Sequence, residues 1–246
     1  TAYLVSAAAL LVPFGKLADT HGRKRVFVGG LVVYTLTSAL CALAPTFPAL
    51  LAGRVAQGLG GAMIFGTGVA LLTSIVPPGR RGLALGINVS AVYLGLSLGP
   101  PIGGLLTHHL GWRSVFAVNV ALGAVAAAIA ARGLVGEWRQ SPDDGLDAPG
   151  VLRLFEANRV FAYSNLAALV NYAATFAVGF LLSLYLQSVR GLSAQAAGGV
   201  LAAQPIVMAA LSPFAGRLSD RVAPRVVASL GMGLIAFGLG LLALVG

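Results

Sequence analysis

The sequence predicts an all-α polytopic membrane protein whose chain contains two related halves. Apolar residues make up 58% of the 246 residues and charged residues only 9%, which is typical of helices that face lipid. The segment GKLADTHGRKR at 15–25 recurs in weaker form as GRLSDRVAPR at 216–225. Basic residues also concentrate in alternate connections between apolar segments. These three features argue against a water-soluble globule.

Eight apolar segments are long enough to cross a bilayer as helices. About 20 residues with a rise of about 1.5 Å each span a hydrocarbon core of about 30 Å. In chain order, the predicted spans lie near 1–18, 26–44, 47–76, 83–107, 114–133, 160–187, 193–215 and 226–246.

A hydrophilic segment at 134–159 separates the fifth span from the sixth. Its prolines and acidic residues mark it as a cytoplasmic linker. We therefore predict an N-terminal bundle at 1–133, the linker at 134–159 and a C-terminal bundle at 160–246. The chain begins and ends within apolar runs, so we expect the first bundle to lack its first helix and the second to be partial.

The basic residues predict how the chain is oriented. A net charge of +9 would favour a nucleic-acid partner in a soluble protein, but these charges lie in short connections between apolar segments. By the positive-inside rule, the side that carries most of them is cytoplasmic. Thirteen of the 16 lie on that side, namely Lys16, Arg23, Lys24, Arg25, Arg80, Arg81, Arg132, Arg139, Arg153, Arg159, Arg217, Arg221 and Arg225. We expect contact with the lipid bilayer and no nucleic-acid partner.

The repeated segment offers a glycine and an aspartate at matching positions in both halves. Gly15 and Gly216 allow close helix approach, whereas Asp19 and Asp220 supply charges for pairing between helices. Repetition between hydrophobic halves is typical of transporter folds, whose substrate site lies at the interface of the repeats. The alternative is that the basic cluster only sets topology.

Arg54 is the one charged residue in the interior of a predicted span, since Lys16 and Arg132 lie within two residues of the ends of theirs. Such a charge is costly in a membrane and normally faces a cavity or a partner. Gln57, Gly58 and Gly61 follow at i+3, i+4 and i+7, so they lie on the same helix face. The alternative is that Arg54 reaches out to the lipid headgroups.

Glycines recur every fourth residue at Gly95, Gly99 and Gly103, beside Pro100, Pro101 and Gly104. Small residues at this spacing predict a groove for close helix contact, and the prolines predict a bend. Helix packing alone could explain the pattern.

Polar side chains within spans are candidates for a substrate cavity, although some of them could only bridge helices. A mixture of amide and aromatic groups in apolar surroundings suits amphipathic or aromatic compounds. The candidates are Asn88, Tyr93, Asn119, Asn165, Asn171, Tyr172, Thr175 and Gln204.

The sequence gives little support for an enzyme. No Ser, His and acid constellation is visible, and His108 and His109 are too few ligands for a metal. Cys41 lies in an apolar segment, as expected of a small core residue. All seven acidic residues lie in predicted cytoplasmic segments, so no carboxylate is placed to carry a proton within the membrane. We expect no catalytic residue and no metal.

These motifs resemble those of the major facilitator superfamily over essentially the whole chain. The segment at 15–25 is similar to that family's cytoplasmic loop between its second and third helices. LAGRVAQGLGGA at 51–62, GLSLGPPIGGLL at 95–106 and GWRSVFAVNV at 111–120 follow in the order found in its drug:proton antiporters, most closely the fourteen-helix multidrug group. Thr20 and Ala223 depart from the pattern of that loop, which predicts an altered strength of the cytoplasmic gate that the resemblance implies.

The resemblance implies a fold of two pseudo-symmetric helix bundles and assigns roles to the residues above. It implies a cytoplasmic gate of Gly15, Asp19, Gly22, Arg23, Lys24, Arg25, Gly216, Arg217, Asp220 and Arg221. It implies proton coupling or a cavity at Arg54, Gln57 and Gly58, and an antiporter-type groove at Gly95, Gly99, Pro100, Gly103 and Gly104. The possible substrate cavity comprises Asn88, Tyr93, Asn165, Asn171, Tyr172 and Gln204.

The function implied is proton-coupled efflux of drugs or other amphipathic small molecules by alternating access. A monomer in a bacterial inner membrane, driven by a proton gradient and without a cofactor, would suffice. The alternatives are a metabolite carrier with different coupling and a membrane protein that does not transport. DAPG at 147–150 runs directly into VLRLFEANRVF at 151–161, where the fourteen-helix group has two more helices. Either those helices are missing or the arrangement has twelve helices.

Overall fold

A computed structural model describes residues 2–138 and 159–244, and helices dominate this part of the chain. The nine α-helices in these two ranges are α1 (Ala2–His21), α2 (Arg23–Ala42), α3 (Phe47–Ile75), α4 (Arg81–Leu110), α5 (Arg113–Gly133), α6 (Arg159–Leu184), α7 (Ala194–Leu201), α8 (Ala203–Ser219) and α9 (Pro224–Ala243). A 3₁₀ turn at Pro78–Arg80 precedes α4, and a π-helical turn at Tyr185–Val189 follows α6. No strand occurs in the described residues.

Eight helical segments of the described residues have the length and composition to cross a membrane, which confirms the predicted number. The seventh is α7 and α8 together, interrupted at Ala202. Ser193 caps the start of this segment, because its hydroxyl accepts a hydrogen bond from the Ala196 N–H at 3.2 Å.

The predicted loop at 15–25 is almost entirely helical. α1 continues to His21 and α2 begins at Arg23, so Gly22 alone joins them. Its φ of 108° lies in a region that residues with a side chain rarely adopt, which explains how so short a junction can reverse the chain. The sequence prediction ended the first of these helices three residues too early, at 18, and began the second three residues too late, at 26.

The residues that the helices bury are mostly small. Ala7, Ala18, Ala62, Ala130 and Ala197 are buried, because small side chains let helices approach closely. Large apolar side chains instead cover the outside, as Phe176 at 75% exposure and Phe180 at 65% illustrate. This arrangement suits a lipid environment, in which backbone N–H and C=O groups must bond to each other within helices and the outer side chains must be apolar.

The chain separates into two compact units, each built from segments distant in sequence. The first comprises Thr1–Thr67 and Leu106–Gln204, and the second comprises Gly68–Leu105 and Pro205–Gly246. In the first unit, α2 packs along both α1 and α5. The predicted bundles at 1–133 and 160–246 remain a prediction, and residues 139–158 of the predicted linker lie outside the described residues.

Candidate functional site

A charged turn forms where α1 meets α2 in the first unit. Arg23 Nη2 lies 2.9 Å from Asp19 Oδ1, and Arg23 Nε donates to the same oxygen at 3.0 Å. The two residues are four positions apart on either side of Gly22. The carboxylate of Asp19 is therefore paired with an arginine of the same turn. Gly15 faces α3, where a Cβ at Gly15 would lie 3.9 Å from the carbonyl oxygen of Gly66.

A second carboxylate, Glu137, covers the beginning of α2. Its Oε1 accepts hydrogen bonds from the Lys24 N–H at 3.0 Å and the Arg25 N–H at 3.4 Å, and its Oε2 lies 3.5 Å from Arg25 Nε. The Arg23 N–H donates to the Trp138 carbonyl at 2.9 Å. A negative charge here satisfies free N–H groups and suits the helix dipole. The sequence interpretation left Glu137 in the linker, since nothing local signals a partner more than a hundred residues away.

The matching aspartate in the second unit makes different bonds. Asp220 Oδ1 accepts from the Gly82 N–H at 2.7 Å, and Oδ2 accepts from the Leu83 N–H at 2.9 Å. Both N–H groups belong to the first turn of α4, where unpaired donors and the helix dipole favour an anion. Asp220 thus fastens the end of α8 to the beginning of α4. Arg217 and Arg221 are exposed beside it.

Gly216 makes this approach possible. A Cβ at Gly216 would lie 2.9 Å from the Gly82 carbonyl carbon and 3.1 Å from Gly86 Cα. One turn along the same helix pair, a Cβ at Gly86 would lie 3.0 Å from Pro213 Cα. Backbone therefore meets backbone between α4 and α8, which leaves no room for side chains at these positions.

Arg54 lies between two aromatic rings in the first unit. Its guanidinium carbon is 4.9 Å from the Tyr3 ring centroid and 5.7 Å from the Phe116 ring centroid. Its Nη1 donates to Gln57 Oε1. Among residues 2–138 and 159–244, no carboxylate forms an ion pair with Arg54. The cation is thus held by ring faces and one amide.

The helix face that the sequence assigned to Arg54 packs closely against α1. A Cβ at Gly58 would lie 2.7 Å from the Tyr3 carbonyl oxygen, and one at Gly61 would lie 2.7 Å from the Tyr3 hydroxyl. Gln57 is fully buried and donates from Nε2 to Ser38 Oγ at 2.7 Å. The sequence interpretation did not include Tyr3, Ser38 or Phe116. Only three-dimensional proximity identifies them.

The glycine row on α4 has a different environment from that expected. Within the described part of the chain, a Cβ at Gly95, Gly99, Gly103 or Gly104 would meet no atom within 4 Å. α4 runs through Pro100 and Pro101 without interruption of its assigned helix. The predicted close helix contact at this groove stays a prediction.

The candidates for a substrate cavity are distributed over both units. Asn88 is exposed and Tyr93 half-buried in the second unit. In the first unit, Asn171 is half-buried, while Tyr172 and Gln204 are exposed. The Thr175 hydroxyl donates to the Asn171 carbonyl at 2.8 Å, so that hydroxyl bonds within its own helix. The side chain of Asn165 lies outside the described residues. A shared cavity remains a prediction.

Eight helical segments of the described residues have the length and composition to cross a membrane, which indicates an integral, polytopic membrane protein. The chain belongs to the Major Facilitator Superfamily, whose family model matches residues 1–246. The helical architecture of the described residues is that expected of this superfamily. Among the residues that the structure describes, no three His, Cys, Asp or Glu side chains are grouped to hold a metal ion.

Relatives of the chain are named for transport and export. It is 28% identical over 268 residues to the Riboflavin transporter RibZ of Clostridioides difficile (strain 630), covering 90% of this chain and 59% of the relative. It is 42% identical over 153 residues to the Cephamycin export protein CmcT of Amycolatopsis lactamdurans, covering 61% and 31%. It is 28% identical over 296 residues to the Multidrug resistance protein B homolog of Mycobacterium tuberculosis (strain CDC 1551 / Oshkosh), covering 98% and 54%.

The chain spans at most about three fifths of the length of these relatives. The match to the Multidrug resistance protein B homolog runs over 296 positions, which is more than the 246 residues of this chain. That relative therefore carries additional residues within the matched region.

Proposed function

We propose that this protein is a secondary transporter that exports amphipathic small molecules, driven by a proton gradient. The observation that carries the proposal is membership of the Major Facilitator Superfamily together with relatives named for export and multidrug resistance. The proposal makes the protein a carrier and not an enzyme. Because the relatives are bacterial, it places the protein in a bacterial inner membrane, as a monomer without a nucleic-acid partner.

Alternating access requires cytoplasmic contacts that form in one state and break in another. The bonds from Asp220 to the first turn of α4 suit this role, since they join two helices through one carboxylate. The ion pair of Asp19 with Arg23 provides a second charged turn, at the equivalent place in the first unit. The charge-assisted hydrogen bonds of Asp220 are strong when made and can be exchanged for bonds to water, and the exposed pair of Asp19 with Arg23 is weaker and breaks more readily. We assign both aspartates to the gate on these grounds.

Proton coupling is assigned to the surroundings of Arg54. A guanidinium remains protonated, so Arg54 acts as a fixed positive charge within the membrane-spanning region. A fixed charge favours proton release from an acid beside it and favours binding of anionic groups. The aromatic rings of Tyr3 and Phe116 hold the guanidinium while leaving further N–H donors on it. In this proposal the proton is carried by an acid outside the described residues, and the positive charge of Arg54 couples the ionisation of that acid to the substrate cavity.

A metabolite carrier is the second candidate function. The relative named as a riboflavin transporter matches 90% of this chain, a larger share than the 61% matched by the cephamycin exporter. A flavin is also a flat aromatic compound with polar edges. The amide and aromatic side chains predicted for the cavity would suit such a molecule.

Transport in reconstituted vesicles tests the proposal. Vesicles containing the full-length protein are given an inward-directed or outward-directed proton gradient, and the movement of cationic dyes, aromatic dyes and riboflavin is recorded. We expect gradient-dependent dye export that an uncoupler abolishes, and loss of that export in Arg54→Ala and Gly99→Leu. Arg190→Ala is the matched control. Arg190 is an exposed arginine away from Arg54, Tyr3 and Phe116, so its replacement should leave export intact.

The same experiment distinguishes the two candidates. Movement of riboflavin with no movement of any dye would replace drug export by metabolite transport. Dye export that persists in the presence of the uncoupler would remove proton coupling from the proposal. Inserted protein that moves none of the compounds would refute both functions for these substrates.

A further inference from the structure

Ser38 of α2 and Gln57 of α3 are both completely buried, with 0% of their surface exposed. Gln57 contacts Arg54 through its amide oxygen and Ser38 through its amide nitrogen. In the described residues, the Ser38 hydroxyl bonds to Gln57 and to the Tyr34 carbonyl, and not to the guanidinium of Arg54. It nevertheless belongs to a continuous chain of hydrogen bonds that ends at Arg54.

The direction of this chain follows from counting donors. Ser38 Oγ lies 2.7 Å from the carbonyl oxygen of Tyr34 and donates its single hydrogen there. With that hydrogen committed, Ser38 can only accept from Gln57, so it requires the NH₂ end of the amide. The carbonyl end of Gln57 must then face Arg54, which is the only arrangement in which an arginine donor meets an acceptor.

We propose that Ser38 is a positioning residue for Arg54, acting through the amide of Gln57. Ser38 fixes which end of the amide faces the guanidinium, and the amide in turn keeps the guanidinium between the rings of Tyr3 and Phe116. The consequence of this positioning for transport rests on the proposed function. The positioning of Arg54 does not rest on it and can be measured in protein that transports nothing.

Simple helix packing is the competing explanation for the Ser38–Gln57 bond. A bond that only joined α2 to α3 would affect stability but not the environment of Arg54. Thr37, the residue before Ser38 on α2, separates the two explanations. It is also buried, and its hydroxyl donates to the Val33 carbonyl at 2.7 Å, but no bond connects it to Gln57.

The test is the reaction of Arg54 with phenylglyoxal in the purified full-length protein, followed peptide by peptide with mass spectrometry. Exposed Arg190 serves as the internal reference. Ser38→Ala should increase labelling of Arg54 relative to Arg190 by about three-fold or more, because the unanchored guanidinium leaves the aromatic rings more often. Thr37→Ala should leave the ratio unchanged. Ser38→Cys keeps a weak acceptor and should give a smaller increase.

A double variant tests whether Ser38 acts through Gln57. If it does, Gln57→Ala raises Arg54 labelling, and adding Ser38→Ala raises it no further. Equal ratios in Ser38→Ala and the parent would overturn the proposal, as would equal increases in Ser38→Ala and Thr37→Ala. Additive increases in the double variant would also overturn it. If Ser38→Ala loosens the whole fold, the part-buried Arg23 also gains labelling relative to Arg190, and the ratio in a Ser38→Cys variant without that gain decides.

Transport supplies the second readout. Where the parent exports dye, Ser38→Ala should shift the pH profile of export in the same direction as Gln57→Ala, while Thr37→Ala keeps the parent profile. Failure of the parent to transport would count against the proposed function alone, since the labelling ratio is measured without transport. If an active Ser38→Ala variant shows raised labelling of Arg54 but an unshifted pH profile of export, then the positioning of Arg54 has no role in proton coupling.

Discussion

At the scale of single residues, Asp19 and Asp220 occupy matching places in the repeated segment but hold different partners. Asp19 pairs with a side chain of its own turn, whereas Asp220 accepts from two backbone N–H groups of another helix. The side chain of Asp19 is 37% exposed, so solvent screens its ion pair strongly. The two equivalent aspartates therefore make different contacts and should contribute differently to stability.

Asp220→Asn should destabilise the protein more than Asp19→Asn. An amide presents one acceptor instead of two and turns an NH₂ donor toward an N–H donor of α4. We expect a loss of about 1 to 3 kcal/mol in the free energy of unfolding for Asp220→Asn, as for other hydrogen bonds to charged groups. For Asp19→Asn we expect about 0 to 1 kcal/mol.

Thermal unfolding of the purified full-length protein in detergent measures both changes. Arg221→Gln is the matched control for Asp220, since it removes an exposed neighbouring charge and leaves the bonds to α4 in place. If Asp19→Asn proved as costly as Asp220→Asn, the assignment of the stronger contact to Asp220 would be wrong.

At the scale of elements, helix ends and helix faces carry the packing. α2 is bonded at both ends, by Glu137 at its first turn and by Arg113 beyond its last, where Nη2 donates to the Ala44 carbonyl at 2.9 Å. Each charge matches the helix dipole at its end of α2. Between α4 and α8, glycines replace charges as the device that brings two backbones together.

Gly86→Ala should therefore cost far more than Gly99→Ala. A methyl group at Gly86 would enter the space of the Ser212 carbonyl and Pro213 Cα, and overpacking of this kind costs about 1 to 3 kcal/mol. A methyl group at Gly99 meets no atom within 4 Å in the described residues. There, replacing glycine within a helix gains up to about 1 kcal/mol.

Melting temperatures of the two alanine variants, measured side by side, provide the comparison. Their chemistry is identical and both lie on α4, so only the surroundings differ. A larger loss at Gly99 would mean that another helix covers that face. In that case Gly99→Leu would abolish transport through misfolding, and a smaller substitution would have to replace it in the transport experiment.

At the scale of the whole molecule, the distribution of charge predicts the orientation in the membrane. Arg80 precedes α4 and His109 lies at its other end, and both are exposed. The excess of basic residues on the Arg80 side predicts that this side is cytoplasmic. The position of each end of α4 relative to the membrane can therefore be tested with one thiol at a time.

We expect His109→Cys to react with a membrane-impermeant maleimide in intact cells, and Arg80→Cys to react only after permeabilisation. Both substitutions are made in a Cys41→Ala background, which removes the buried native thiol. If only Arg80→Cys were labelled in intact cells, the orientation of the protein would be the reverse of the predicted one. The parent carrying only Cys41→Ala gives the background signal.

Much of the fold was accessible from the sequence because apolar length is a local property. All eight spans were predicted, and the i, i+3 spacing placed Gln57 beside Arg54. Ser38 and Glu137 were not, since their partners are 19 and 113 residues away and neither residue stands out in its own segment. The charged turn was mistaken for a loop because helix ends depend on one backbone angle at Gly22, which the letters around it do not encode.

The single-residue junction at Gly22 leaves α1 and α2 without slack. The connection from α2 to α3, by contrast, spans residues 43–46 and can absorb a change of angle over several dihedrals. Any tilt of α1 at the end that meets α2 is therefore passed on to α2 through the backbone rotations at Gly22. The two helices are thus joined at one flexible residue. The carboxylate of Glu137 packs directly against Gly22, where a Cβ would otherwise lie.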